Sequence, residues 1–70
     1  MDKTFKGNRI KELREDLGLS QRQLAENTGI MQVNISRWER ALTVPNVLDL
    51  WTLAEYFNCS VDYLIGKDED

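Results

Sequence analysis

The sequence predicts an all-α fold, a compact bundle of five short helices. Three observations lead to it: apolar residues recur at helical spacing, glycine or asparagine follows the periodic segments, and serine or asparagine precedes three of them. With 70 residues the chain makes one small domain, which should bury only about 60% of the surface that the unfolded chain exposes. Self-association would supplement so small a core.

The first predicted helix is recognised by its apolar spacing. Ile10, Leu13 and Leu17 follow the i, i+3, i+7 pattern of a helix that turns one face towards a core. Gly18 then supplies a residue that readily adopts the left-handed conformation with which many helices end. The sequence therefore predicts that this helix stops just before residue 18.

A second helix is predicted for residues 21–27, directly after this connection. Ser20 is a favourable N-cap, because its hydroxyl can accept a hydrogen bond from the first turn. Leu24 and Ala25 form the inner face, and Gly29 is the stop. Three leucines are expected to pack together across the connection between the two helices, namely Leu17, Leu19 and Leu24.

Two further helices are predicted after residue 45. Asn46 and Ser60 are good N-caps for them, and Asn58 and Gly66 suit the left-handed residues that end them. The last helix is short and spans residues 61–65. The longer one should bury an apolar stripe made of Val47, Leu50, Trp51, Ala54 and Phe57.

The segment GIMQVNISRWER, residues 29–40, has two interpretations. Val33 and Ile35 alternate with polar residues as in a half-buried strand, whereas Ile35 and Trp38 lie on one helical face. An isolated strand among helices would leave its backbone groups without hydrogen bonds. We therefore predict a helix whose outer side carries Gln32, Val33, Ser36, Arg37 and Arg40.

The composition offers little for catalysis or metal binding. The chain has no histidine and one cysteine, Cys59, so the usual general base and the common zinc ligand sets are missing. We expect no enzyme, no metal and no other cofactor. A lone cysteine favours a reducing compartment, and no apolar run approaches the ~20 residues of a membrane span. The expected location is the cytoplasm.

The net charge of −3 conceals an asymmetry between the two halves of the chain. Residues 1–40 carry eight basic and six acidic side chains, a net charge of +2. Residues 41–70 carry one lysine and six acids, a net charge of −5. Because the local distribution of charge decides where a polyanion can dock, the first half remains available to a nucleic acid.

Helices two and three are joined so closely, around Gly29, that they form a helix-turn-helix arrangement. LSQRQLAENTGIMQVNISRWER resembles this unit in the Cro and phage-repressor family, also called Xre-like, and PNVLDLWTLAEYFNCSVDYLIG resembles the family's fourth and fifth helices. The resemblance covers residues 8–66 and implies a bacterial or phage-encoded protein with a DNA-binding domain at residues 1–66. Residues 67–70 would be an acidic tail or the start of a linker. The residues in register are Ser20, Gln21, Leu24, Ala25, Gly29, Ile35, Ser36, Trp38, Glu39, Asp62, Tyr63 and Leu64.

The resemblance also implies which side chains meet DNA. Members of the family place the third helix, here residues 31–39, in the major groove, usually as dimers on palindromic operators. The implied base contacts are Gln32, Val33, Ser36 and Arg37. The implied phosphate contacts are Gln21, Asn34, Arg40 and Arg9, and the Gln21 side chain would also brace Gln32.

The same resemblance implies a structural ion pair between Arg14 and Glu39, which match an arginine and a glutamate that often pair across the domain in the family. The residues expected in the core are Trp38, Trp51, Leu13, Leu24, Ile35 and Leu53. The chain departs from the family at three places. Met31 stands where a serine or threonine N-cap is usual, Ala41 replaces a glycine, and the loop ALTVPN lacks the usual basic residues.

The leading functional hypothesis is a sequence-specific DNA-binding transcriptional regulator, a repressor, bound to double-stranded DNA as a homodimer. The alternative is a protein-interaction module, such as an antitoxin or adaptor, that keeps the helix-turn-helix fold. Its support is the acidic second half and the apolar loop at Leu42 and Val44. A patch of Phe57, Cys59, Val61 and Tyr63 either forms the dimer contact or completes the monomer core, and both interpretations remain open.

Overall fold

Five helices and no strand make up the secondary structure of residues 8–67, the part of the chain that the computed structural model describes. The all-α prediction is confirmed. Residues 1–7 of the predicted domain and residues 68–70 of the predicted acidic tail lie outside the described residues. Within residues 8–67, no helix is both long and apolar enough to cross a membrane. The helices are α1 (Asn8–Asp16), α2 (Gln21–Thr28), α3 (Gln32–Glu39), α4 (Val47–Phe57) and α5 (Val61–Ile65).

The helix ends are fixed by the predicted caps. Ser20 Oγ accepts the backbone N–H of Gln23 at 3.0 Å, and the Gln23 side chain accepts the N–H of Ser20 at 2.8 Å, which completes a capping box. Asn46 and Ser60 each accept the N–H three residues further on, at 2.8 and 3.0 Å. Left-handed residues end three helices: Gly29 (φ 77), Asn58 (φ 56) and Gly66 (φ 81).

The helix α3 is less well terminated than its neighbours. Its N-cap, Met31, makes no side-chain hydrogen bond to the first turn. Ala41, just beyond its C-terminal end, has φ 57, a left-handed conformation that costs a residue with a Cβ about 1–2 kcal/mol. Both departures from the family pattern therefore weaken the ends of α3, and packing must hold it in place.

The core takes one fully buried side chain from every helix. These five residues have no exposed surface, and each contributes roughly 1.5–3 kcal/mol by burial. Trp38 of α3 and Ile30, in the turn before α3, complete this cluster at 4% and 8% exposure. The five are Ile10, Leu24, Ile35, Leu53 and Leu64. α3 therefore owes its position to packing against α1 and α2 and to its place in one shared core.

Three of the burial predictions are wrong. Trp51 is 58% exposed, Val47 is 77% exposed and Leu17 is 55% exposed. Leu53 of α4 faces the core. Trp51, two positions earlier, lies about 200° around the helix and therefore faces solvent. Leu13 is half-buried and packs against the core, as expected.

Candidate nucleic-acid interface

A tight turn joins α2 to α3 and sets the direction of α3. Gly29 has φ 77, and a Cβ there would meet nothing within 4 Å, so the backbone conformation and not space explains the glycine. Thr28 Oγ1 donates to the carbonyl of Leu24 at 2.8 Å and accepts the N–H of Ile30 at 3.3 Å. Because Ile30 is buried, the turn is tied to the core on both sides.

The two sides of α3 have different surroundings. Ile35 is fully buried and Trp38 is 4% exposed, so these two residues hold the helix to the core. On the other side Gln32, Val33 and Arg37 are exposed. The remaining candidates, Asn34 and Ser36, are half-buried at the edges of this surface. The structure therefore places all four predicted base-contact residues and Asn34 on α3, outside its buried side.

The predicted ion pair between Arg14 and Glu39 is present and buried. Arg14 Nε donates to Glu39 Oε2 at 2.7 Å and Nη2 donates to Oε1 at 3.0 Å, with side-chain exposures of 10% for Arg14 and 3% for Glu39. Arg14 Nη1 also donates to the carbonyl of Leu19 at 2.7 Å. The hydrogen bonds from Arg14 to Glu39 raise the pKa of Arg14 above its ordinary value, and burial opposes this only in part.

Gln21 joins the same network. Its Nε2 donates to Glu39 Oε1 at 3.0 Å, so the Gln21 side chain, which was expected to brace Gln32, contacts Glu39 instead. Gln21 is half-buried at the first turn of α2, where the first N–H groups of a helix lack partners within it. Through Glu39, the start of α2 is therefore coupled to the end of α3. Sequence reasoning missed this contact because the two residues are 18 positions apart and neither forms a recognisable local pattern with the other.

The two other candidate phosphate contacts lie at different places. Arg40 follows α3 directly and is exposed, and its Nε donates to the carbonyl of Ser36 at 3.3 Å. Arg9 Nη1 donates to the carbonyl of Tyr63 at 3.0 Å, and its guanidinium carbon lies 4.1 Å from the centre of the Tyr63 ring. Arg9 thereby joins α1 to α5, whereas Arg40 borders the exposed side of α3.

The monomer uses part of the predicted dimer patch. Phe57 and Cys59 are half-buried and pack against the core, and Tyr63 is half-buried against Arg9. Val61 is 36% exposed. Burial raises the pKa of the Cys59 thiol, and the charge of Arg9 opposes this in part. The role of this patch in self-association stays a prediction.

A shallow depression of about 270 Å³ separates α3 from the start of α4. Arg37 lies on one side of it and Asp49 on the other, so the guanidinium and the carboxylate share this surface. Thr43 and Asn46 also line the depression. Neither was predicted from the sequence to contact DNA, since Asn46 was recognised only as a helix cap. The full lining is Asn34, Arg37, Trp38, Thr43, Val44, Asn46 and Asp49.

Comparison with known protein families shows which family has this arrangement of helices. The family model described as helix-turn-helix matches residues 10–64. The chain belongs to the helix-turn-helix family. The match includes α2, the turn, α3 and the buried residues of all five helices, so the family resemblance predicted from the sequence is confirmed.

Characterised helix-turn-helix relatives include regulators of bacteria and phage. The HTH-type transcriptional regulator ImmR of Bacillus subtilis (strain 168) is 41% identical over 63 residues, which are 90% of this chain and 50% of that protein. Repressor protein C2 of Salmonella phage P22 is 38% identical over 68 residues, 97% of this chain and 32% of that protein. The chain thus spans between a third and a half of the length of these two relatives.

Solved structures show the same bundle. The crystal structure of the P22 c2 repressor protein in complex with synthetic operator 9T superposes with a TM-score of 0.83 at 39% identity and covers 91% of this chain and 97% of that chain. A solution structure of the P22 c2 repressor DNA-binding domain gives a TM-score of 0.79 at 37% identity and covers 100% of this chain and 92% of that chain. The predicted phage-repressor type of fold is therefore confirmed.

Proposed function

We propose that this chain is a sequence-specific DNA-binding domain of a transcriptional repressor and that α3 reads the major groove. One observation carries the proposal: Gln32, Val33 and Arg37 are exposed on a helix whose opposite side is buried through Ile35 and Trp38. The structure of the similar P22 c2 repressor has been solved in complex with operator DNA. Of the two relatives, ImmR is named a transcriptional regulator and C2 of phage P22 a repressor.

The exposed side chains of α3 have the chemistry of base recognition. The Gln32 amide can form two hydrogen bonds with an adenine edge, and Val33 offers an apolar contact to a thymine methyl group. Arg37 lies one turn further along and can donate two hydrogen bonds to guanine or bind a phosphate. Ser36 supplies a further hydroxyl at the edge of the same surface. A good bidentate pair discriminates against the wrong base by ~1–3 kcal/mol, so two such residues can define a sequence preference.

The surrounding groups would hold the DNA backbone. The N-terminus of α2 offers backbone N–H groups to a phosphate, and Gln21 is fixed beside it by Glu39. Arg40 and Asn34 flank α3, and Arg9 extends the basic first half of the chain. Binding as a homodimer to a palindromic operator on double-stranded DNA, in the cytoplasm, completes the proposal, since two-fold symmetric sites match two copies of one reading helix.

Selection of binding sites from random DNA duplexes at low salt tests this proposal. We expect an enriched motif, loss of affinity of about tenfold or more for Gln32→Ala and for Arg37→Ala, and relaxed preference at the base pair that each residue reads. Lys11→Ala is the matched control, because Lys11 is an exposed basic residue on α1. The absence of any enriched motif, or equal binding by all variants, would contradict the proposal.

A further inference from the structure

The outward side of α4 forms an apolar surface that the core does not use. Leu48 is 68% exposed and Trp51 is 58% exposed, which is unusual for side chains of their size. Single exposed apolar residues are common, but clustered ones mark interaction sites. We call this surface the α4 outer face and define it by Val47, Leu48 and Trp51, which are 77%, 68% and 58% exposed.

Helical spacing arranges this face as a ridge. Leu48, Trp51 and Glu55 follow each other at i, i+3 and i+7, so they lie along one side of α4. The opposite side is buried through Leu53. α4 is therefore apolar on both sides over its first two turns, and the outer stripe ends in the carboxylate of Glu55. A helix of a monomer that needed only one buried side would carry polar residues at these outer positions.

α4 and α5 carry acidic side chains and no basic one. No lysine or arginine occurs between residues 41 and 66, whereas Asp49, Glu55 and Asp62 do occur there. A nucleic acid or an anionic lipid surface would be repelled by this border. The chemistry that complements an apolar ridge with acidic neighbours is an apolar surface with basic neighbours.

We propose that the α4 outer face binds a partner protein through an amphipathic helix whose apolar stripe is flanked by lysine or arginine. The Trp51 ring would be the anchor, because aromatic residues dominate the energetics of such contacts. Leu48 and Val47 would pack beside it, and Glu55 would pair with a basic side chain of the partner. Burying an apolar helix face against an apolar surface is a recurrent mode of peptide recognition.

The charges favour such a partner over a second copy of this chain. In a symmetric contact between two α4 outer faces, neither α4 nor α5 of either copy would offer Glu55 a basic side chain. Like charges placed opposite each other at an interface are unfavourable. A partner with basic flanks meets no such opposition.

The position of the face links it to α3 without making it part of the DNA contacts. Val44, three residues before Val47 of the α4 outer face, lines the depression that Arg37 also lines. A partner that covered Val44 would therefore lie beside the exposed side of α3. The proposed docking needs no DNA, so its test is independent of the proposed function.

The test is a display selection in which a helical peptide library, randomised over one face, is selected against the purified chain without DNA. We expect enriched peptides to combine an apolar stripe with basic flanks. Fluorescence anisotropy of an enriched peptide should show at least tenfold weaker binding to Trp51→Ser and to Leu48→Ser. Leu17→Ser is the matched control, because Leu17 is similarly exposed, at 55%, but lies between α1 and α2, and it should bind as the unchanged chain does.

Charge reversal supplies the second part of the test. Glu55→Lys should weaken the basic-flanked peptide at least fivefold, and the same peptide with glutamate flanks should recover the loss. Circular dichroism confirms that each variant is folded. The proposal is overturned if no peptide is enriched, if enriched peptides carry acidic flanks, or if their binding survives both Trp51→Ser and Leu48→Ser. It is also overturned, in favour of a second copy, if the chain sediments as a dimer that Trp51→Ser dissociates.

Discussion

The carboxylate of Glu39 joins three helices of the described chain. It accepts two hydrogen bonds from Arg14 of α1 and one from Gln21 of α2, while itself belonging to α3. Its side chain is only 3% exposed, so solvent does not screen these contacts. A buried pair of this kind adds little net stability by forming but costs a great deal when one partner is lost.

Glu39→Gln should therefore lower the free energy of unfolding by about 3 kcal/mol, because it leaves the Arg14 cation buried without its counter-charge. Glu26→Gln is the matched control. It removes the exposed pair between Arg22 and Glu26, at 3.4 Å and with side-chain exposures of 79% and 62%, and should cost less than about 1 kcal/mol. Urea unfolding of the three proteins measures both values, and equal losses for the two variants would refute the role given to Glu39.

The stabilising effect of Arg14 persists across the physiological pH range. Its pKa is raised in the folded state by the hydrogen bonds to Glu39. A basic group with a raised pKa contributes its full stabilisation below the unfolded pKa and loses it only as the pH rises through the folded value. Because both values lie far above neutral pH, moderate alkalinity leaves this contact intact.

Among the elements, α3 depends most on its neighbours. It has eight residues, too few for a stable isolated helix, and its N-cap side chain makes no hydrogen bond. α2 has the same length but begins with a capping box. One difference between the two helices is the capping hydroxyl, which a single substitution can supply.

Met31→Ser should stabilise the domain by about 1 kcal/mol, because Met31 already has the extended backbone of an N-cap (φ −66, ψ 135) and lacks only an oxygen atom. For a domain of this size the gain corresponds to a rise in Tm of roughly 4–8 °C. Met31→Ala is the control, because it removes the same side chain, which is 67% exposed, without supplying a capping oxygen. It should leave Tm unchanged. A rise of the same size in the alanine variant would show that capping is not the cause.

At the scale of the whole molecule, the charge asymmetry controls the strength of the proposed DNA contact. Three arginines, Arg9, Arg37 and Arg40, are candidates for phosphate contact in each copy, and the loop after α3 adds none. Each neutralised phosphate contributes ~0.9 to the slope of log affinity against log salt concentration, so a dimer should have a slope of about −5.

Arg40→Ala should reduce the magnitude of this slope by about 2 in a dimer, because one phosphate contact per copy is lost. Binding to the selected operator, measured by fluorescence anisotropy over a series of salt concentrations, gives the slope. Lys67→Ala removes an equal charge from the acidic end of the domain and should leave the slope unchanged. Equal changes in both variants would mean that net charge, and not a contact at Arg40, sets the affinity.

Local chemistry made most of the fold predictable. Ser20, Asn46 and Ser60 cap the helices that were predicted to follow them, and Asn58 and Gly66 end helices in the left-handed conformation. These signals act over three or four residues, so the sequence contains them completely. The division of α3 into a buried side and an exposed side followed from helical spacing for the same reason.

What escaped prediction depends on how elements meet. Trp51 is one of several apolar residues spaced along α4, but helical spacing alone does not show which side of α4 faces the core. The packing of Leu53 decides this. A domain of this size has too small a core to cover every apolar residue, so helical spacing overestimated burial. The bond between Gln21 and Glu39 joins residues on different helices, and no local pattern records it.

The separation of α3 into residues that hold it to the core and residues that are exposed has an evolutionary consequence. Ile35, Trp38 and Glu39 fasten the helix, whereas Gln32, Val33 and Arg37 take no part in fastening it. Substitutions at the second group therefore cost the fold little, since exposed positions tolerate change within about 0.5 kcal/mol. Under the proposed function, a duplicated gene could change its operator through a few such substitutions while every intermediate stayed folded. Because the two groups of residues alternate along α3, many target sites become accessible to one constant scaffold.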